Sequence, residues 1–169
     1  MLELVQKAQK GDRTALGRLV QDHYGRVFRF CARRVGDELG QDATQETFVT
    51  MQKTIDRFRA DSRFETWLLG IAHHTCLGMA RKARRDPMPL EDWFNPVGPD
   101  QSNVIERESL RQALATLSPE HREVVVMHEV EGLRYAEIAA ILGVPEGTVK
   151  SRLHHAFLNL RQALRGGQK

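Results

Sequence analysis

The chain has 169 residues, of which 41% are hydrophobic, 28% charged and 7% aromatic, and its formal net charge is +3. This is a globular composition with room for one medium domain or two small ones, and it excludes a disordered chain. No apolar run reaches the ~20 residues of a membrane-spanning helix, and Met1-Leu2-Glu3-Leu4-Val5 lacks the basic stretch of a secretory signal. Cys31 and Cys76 are too few for a disulfide framework and read as reduced, buried, small hydrophobes of a cytoplasmic protein. A glycine-rich phosphate loop, a CxxC pair and an HExxH motif are all lacking, so no catalytic residue, metal or cofactor is expected and the chain does not read as an enzyme.

The elements follow in chain order. Asp12 suits an N-cap, and Leu16, Leu19, Val20, Tyr24, Val27, Phe28 and Cys31 recur at helical spacing up to Gly36, a helix stop. A second helix is expected from about Glu38 to Phe58, with Ala43, Phe48, Met51 and Ile55 inward. A polar loop, Arg59 to Arg63, leads into a third helix from Phe64 to about Arg85, with Trp67, Leu68, Ile71 and Cys76 inward. These make a first lobe, residues 1–85. Four of the six prolines then fall between Asp86 and Asn103, a stretch with Glu91, Asp92 and Asp100 but no Lys or Arg, which reads as an acidic extended linker, residues 86–103.

The second lobe, residues 104–169, is also helical. Leu110, Leu114 and Leu117 mark one helix. Ser118-Pro119-Glu120 opens another, carrying Val124, Val125 and Met127 and ending near Gly132. A short helix runs from Tyr135 to Leu142 and stops at Gly143. Pro145 opens a last helix with Val149, Leu153, Ala156, Leu160 and Leu164 on one face. The fold class is therefore all-α, with two small helical domains joined by a flexible linker.

Positive charge is concentrated in two helices. Thr66 to Arg85 holds no acid and closes with Arg81, Lys82, Arg84 and Arg85; Gly147 to the C-terminus is again acid-free. Basic helices in both lobes, split by an acidic linker, point to two contacts with a polyanion. The segment Tyr135 to Leu153 has the build of a helix-turn-helix: Ala139 where two helices approach, Gly143 at the turn, and Val149 and Leu153 anchoring the second helix. Glu146, Thr148, Lys150, Ser151, Arg152 and His154 project near the N-terminal half, the part that enters a major groove in this motif. The clusters His73, His74 and Cys76, and His154 with His155, lack a second pair at ligand spacing and read as structural rather than metal-binding.

These residues carry a family resemblance. The last lobe resembles region 4 of bacterial sigma factors through Leu117-Ser118-Pro119-Glu120-His121-Arg122-Glu123-Val124, Glu131 to Ala139, and Gly147-Thr148-Val149-Lys150-Ser151-Arg152-Leu153-His154. The first resembles region 2 through Asp42-Ala43-Thr44-Gln45-Glu46-Thr47-Phe48 and Phe64-Glu65-Thr66-Trp67-Leu68. Both lobes in this order, with a short linker, resemble the extracytoplasmic-function (ECF) group of the sigma-70 family. The resemblance implies a subunit that directs core RNA polymerase to promoters. Region 2 would dock on the β′ coiled coil through Asp42, Gln45, Glu46 and Phe48. It would open the −10 element with Arg59, Arg63, Trp67, His74, Arg81, Lys82, Arg84 and Arg85. Region 4 would sit on the β flap and read the −35 element with Glu146, Thr148, Lys150, Ser151, Arg152 and His154. An anti-sigma factor, often membrane-bound, is the implied inhibitor, while the chain itself stays out of the membrane. The chain departs from the family in carrying His74 where Asn is usual, Ala43 where Leu is usual, and no basic residues at His155 to Asn159. Two other readings fit the second lobe: a conventional helix-turn-helix regulator acting without polymerase, and a nucleic-acid enzyme that uses this lobe for targeting. Neither needs the Asp42–Phe48 segment.

Overall fold

The computed structural model describes residues 1–82 and 104–166, and its contacts divide the chain into two units, Met1–Met88 and Pro89–Lys169. The expected linker, together with Arg84 and Arg85, lies outside the described residues. Among the described residues every regular element is a helix or helical turn.

In the first unit, α1 (Leu2–Gln9) is a helix that the sequence pattern does not announce; it buries Val5 and Ala8. The Gln9 amide donates to the carbonyls of Ile55 and Phe58, both at 2.9 Å, and so ties α1 to a distant turn. α2 (Arg13–Val35) starts as expected. The Asp12 carboxylate accepts from the Thr14 and Ala15 amides at 2.9 and 3.1 Å, satisfying two of the free N–H groups of the first turn. It stops at Gly36, whose φ of +85° is open to glycine and costly for other residues. The inward stripe of α2 is Ala15, Leu19, His23, Val27, Phe30 and Cys31. Tyr24, expected on that stripe, is instead 44% exposed, while Leu16, Val20 and Phe28 are half-buried.

α3 (Asp37–Thr54) ends four residues before the expected Phe58, because Ile55–Arg57 tightens into a 3-10 turn. Its buried threonines stay satisfied: the Thr44 and Thr47 hydroxyls donate to the carbonyls of Gly40 and Ala43, each at 2.6 Å. α4 (Phe64–Lys82) buries Phe64, Leu68, Leu69, Ala72, His73 and Cys76. Trp67 and Ile71, expected inward, are half-buried at the edge of that stripe. Packing of α2, α3 and α4 on one another forms the core, and each fully buried Leu or Phe contributes about 1.5–3 kcal/mol to it.

The second unit holds α5 (Val104–Ala115), α6 (Pro119–Val125), α7 (Tyr135–Leu142) and α8 (Glu146–Gly166). Ser118 caps α6, its hydroxyl accepting from the His121 amide at 3.4 Å, with Pro119 at the first helical position. α6 runs on through a π turn, Val126–Val130, and four consecutive residues, Val124 to Met127, are buried. The chain turns at Gly132, with φ of +66°, and the His128 Nδ1–H donates to the Leu133 carbonyl at 2.9 Å. α8 packs on α5, α6 and α7 through Val149, Leu153, Ala156 and Leu160. Leu164, expected on this face, is 40% exposed.

Candidate nucleic-acid interface

The second unit presents its polar surface at the start of α8. Gly143 adopts φ +66° and ψ +32°, the left-handed conformation that lets α7 stop and the chain turn within three residues, 143–145. Pro145 then starts α8, its carbonyl accepting from the Thr148 and Val149 amides at 2.9 and 3.3 Å. At the other end of α7, the Glu137 carboxylate is buried yet accepts the Arg134 amide at 2.9 Å and the Arg134 guanidinium at 3.4 and 3.5 Å. These contacts fix both ends of α7 and hence where α8 begins.

With Val149 and Leu153 facing the core, Glu146, Lys150, Ser151 and His154 are exposed, and Thr148 and Arg152 are half-buried. The six residues expected to read DNA therefore lie outside the buried Val149–Leu153 stripe, four of them exposed and two at its margin. They are not independent groups. Lys150 pairs with Glu146 at 2.8 Å and stands 6.0 Å above the Tyr135 ring. The hydrogen bond and charge of Glu146 raise the Lys150 pKa, so its ammonium stays charged. The Ser151 hydroxyl donates to the Thr148 carbonyl at 3.0 Å, leaving its lone pairs to accept from a base amino group.

In the first unit, Asp42, Gln45 and Glu46 are exposed on α3. Phe48, grouped with them on sequence, is buried. It stacks on Tyr24 with ring centroids 6.1 Å apart and supports the edge from beneath. Sequence reasoning missed Tyr24 and Val49, both exposed beside that edge. Val49 was detectable, because residues 42, 45, 46 and 49 follow the i, i+3, i+4, i+7 spacing of one helix face.

The loop before α4 is built on three aromatics. Phe58, Phe64 and Trp67 lie 5.3–5.7 Å apart between ring centroids, and beside them Arg59 and Arg63 are exposed. Within this loop Ala60 has φ of +60°, the one positive φ at a non-glycine among the described residues. Further along α4, His74 is exposed, as are Arg81 and Lys82 at the end of the described helix. A groove of about 610 Å³ runs between α3 and α4, lined by Glu46, Thr50, Ile71, His74, Met79 and Lys82 among others. It brings Glu46, expected to meet polymerase, beside His74 and Lys82, expected to meet DNA. Among the described residues no group of three or more His, Cys, Asp or Glu is placed to hold a metal ion.

A three-helix unit with an acidic edge and an aromatic–arginine loop, followed in the chain by a unit with a helix-turn-helix, is the build of a helix-turn-helix DNA-binding protein. The sequence profile described as Sigma-70 region 2 matches residues 19–86, and that of Sigma-70, region 4 matches residues 107–160. The ECF RNA polymerase sigma factor SigE of Mycolicibacterium smegmatis is 36% identical over 91% of this chain, which spans 64% of that protein. The ECF RNA polymerase sigma-E factor of Salmonella typhimurium is 33% identical over 90% of this chain and 88% of its own length. Among solved structures, CnrH in complex with the cytosolic domain of CnrY superposes with a TM-score of 0.69 at 26% identity, covering 98% of this chain and 97% of the other. RpoE of Bartonella quintana, solved with the anti-sigma factor NepR, shares the fold with a TM-score of 0.67 at 23% identity, covering 88% and 96%. The chain belongs to the ECF group of the sigma-70 family of RNA polymerase sigma factors. This is a family of promoter-specificity subunits rather than of enzymes. No described helix is long and apolar enough to cross a membrane.

Proposed function

We propose that this chain binds core RNA polymerase in the cytoplasm and directs it to its own set of promoters. The α3 edge of Asp42, Gln45 and Glu46, with Phe48 packed beneath it, docks on the polymerase β′ coiled coil. The loop and helix bearing Arg59, Arg63, Trp67, His74, Arg81 and Lys82, continuing to Arg84 and Arg85 in the sequence, engage the −10 element. Opening a duplex leaves bases unstacked, and aromatic faces with adjacent cations are what such bases bind. The outer side of α8, from Glu146 to His154, reads the −35 element in the major groove while the second unit rests on the β flap.

The observation that carries this reading is the combination of surfaces in one chain. A conventional regulator has use for α8 but none for an exposed acidic helix edge backed by Tyr24 and Phe48. An anti-sigma factor is the proposed inhibitor, as the anti-sigma factor NepR accompanies RpoE of Bartonella quintana. Phe157 and Leu158, each 41% exposed on α8, offer it apolar surface. The test is run-off transcription with core polymerase on genomic fragments. Transcripts with defined starts should depend on the chain. No stimulation of core, together with tight sequence-specific binding by the chain alone, would establish the conventional regulator instead.

A further inference from the structure

α1 precedes residues 19–86, which the region 2 profile matches, and carries none of the groups assigned to polymerase or DNA. Val5 and Ala8 are buried and dock it on the unit, so its last residue, the half-buried Gln9, is held in place. Both hydrogens of the Gln9 amide are used: Nε2 donates to the Ile55 and Phe58 carbonyls, each at 2.9 Å. These acceptors bracket the 3-10 turn Ile55–Arg57, at the place where the carbonyls of a helix run out of partners. The Ile55 carbonyl also accepts from the Phe58 amide at 3.1 Å, so the turn keeps a bond without Gln9. What depends on Gln9 is the tie on the Phe58 carbonyl, where the loop to α4 begins. The ring of Phe58 is buried and meets Trp67 at 5.3 Å and Phe64 at 5.6 Å. The other end of the loop is fixed separately. His23 of α2 is buried, its Nδ1–H donates to the Leu19 carbonyl at 2.8 Å, and its ring stands edge-on to Phe64 at 5.3 Å. The exposed residues Arg59 to Arg63 thus hang between two anchored aromatics. Among them Ala60 holds φ of +60°, a conformation costly to alanine that persists only where the chain on either side is held.

We propose that Gln9 is a positioning residue for promoter opening: through this one amide α1 holds Phe58, and so sets the Phe58–Phe64–Trp67 cluster and the Arg59–Arg63 loop in the arrangement that receives unstacked −10 bases. This rests on the reading of that loop as the −10 contact. Gln9 itself touches no DNA. It acts through the Phe58 backbone, because a base stacks on a ring only where the ring face is presented to it. Freed from Gln9, the Phe58 carbonyl turns to water and the strained loop relaxes, while the Phe64 end stays against His23. Trp67, in contact with both rings, is then re-aimed. The α3 edge and the second unit are untouched by this change, so core docking and −35 reading persist.

The test compares the full-length native chain with Gln9→Ala and with Gln9→Glu, which fills the same space but offers no donors. Val27→Ala, a truncation in the core of α2, serves as the control for lost stability alone. One readout needs no DNA. In a Trp93→Phe background Trp67 is the sole indole, and its acrylamide quenching should rise in both Gln9 variants but not in Val27→Ala. The other readout uses holoenzyme reconstituted with core polymerase and a fluorescent single-stranded oligonucleotide carrying the −10 element mapped by run-off transcription. Affinity for that strand should fall about tenfold in both Gln9 variants, the scale of one or two lost neutral hydrogen bonds, while affinity for core is unchanged. The proposal is overturned if both Gln9 variants keep the native strand affinity, or if Val27→Ala loses as much as they do. A native holoenzyme that does not hold the strand overturns the −10 reading of the loop instead, and the Trp67 quenching then still supports or overturns the hold of Gln9 on the cluster.

Discussion

Lys150 and Glu146 form an ion pair of 2.8 Å across one turn at the start of α8, on the side that faces away from the core. The first cation of this helix is thus matched by an acid before any DNA arrives. Replacing Glu146 by Gln keeps the side chain's shape and releases Lys150. The Glu146→Gln holoenzyme is expected to bind promoter and unrelated DNA more tightly by similar factors. Its plot of log affinity against log salt should steepen by about 0.9, the value of one added phosphate contact. Fluorescence anisotropy over a salt series measures this, and an unchanged slope would show that Lys150 does not reach a phosphate.

Arg152 is half-buried on α8, next to the buried Leu153, and an arginine can bury its stem while its guanidinium stays in solvent. A bidentate contact from it to a guanine would be worth about 1–3 kcal/mol of discrimination. Arg152→Ala should therefore flatten the preference at one −35 position while leaving the others intact. Arg152→Lys should not restore it, since an ammonium cannot reproduce the planar fork. Transcription from a promoter set substituted one −35 position at a time gives the readout.

The α3 edge separates two effects that sequence alone joins. Asp42 and Glu46 are exposed, so reversing both charges should weaken core binding without lowering the melting temperature. Phe48 is 8% exposed, and its truncation should act through the fold. Phe48→Ala is expected to cost about 3–5 kcal/mol of stability, by the usual range for an aromatic removed from a core. Thermal denaturation beside a core-polymerase pull-down distinguishes the two. Normal core affinity in the doubly reversed protein would place the docking surface elsewhere.

The helix-turn-helix was legible because its punctuation is local. Gly143, Pro145 and the Val149–Leu153 spacing act within a few residues of themselves, and the observed turn and burial follow them. The first unit was legible only in outline. Periodicity reports an apolar face but not which of two neighbouring apolar residues lies at its centre; packing of α3 and α4 decides that Leu19 is inside and Tyr24 outside. Likewise nothing near Thr54 announces that α3 stops there. Its end is held in part by Gln9, far away in sequence, whose amide takes up the carbonyls of Ile55 and Phe58.

Two glycines in the first unit should respond to alanine in opposite directions. At Gly40 a Cβ would lie 2.7 Å from the Ala32 Cα and 2.9 Å from its nitrogen, backbone atoms of α2 that cannot yield without moving the helix. Gly40→Ala is expected to destabilise by about 1–3 kcal/mol, the common cost of overpacking. Gly17 lies within α2, and a Cβ there would meet nothing within 4 Å. Gly17→Ala should stabilise by about 0.4–1 kcal/mol, mainly by restricting the unfolded chain. Urea titration followed by circular dichroism measures both, and equal midpoints for the two variants would contradict the close approach of α2 and α3.

Arg122 has a part that its place in the Leu117–Val124 motif does not reveal. Its Nε donates to the Leu114 carbonyl at 3.1 Å, and its Nη2 donates to those of Leu117 and Ala115 at 2.9 and 3.5 Å. These acceptors lie at and just beyond the end of α5, where carbonyls have no partner within the helix. One guanidinium thus closes α5 and joins it to α6. Burial lowers its pKa, but an arginine stays charged across the working range, so the bonds are charge-assisted. Arg122→Ala should destabilise the second unit by about 1.5–3 kcal/mol, the usual worth of a hydrogen bond to a charged group. Arg122→Lys should recover little, because the acceptors are spread along a fork rather than gathered at a point. Amide hydrogen exchange resolves the two units. Faster exchange confined to α5 and α6 is the expected outcome, while unchanged protection of α5 in Arg122→Ala would show that these bonds do not hold the helix end in solution.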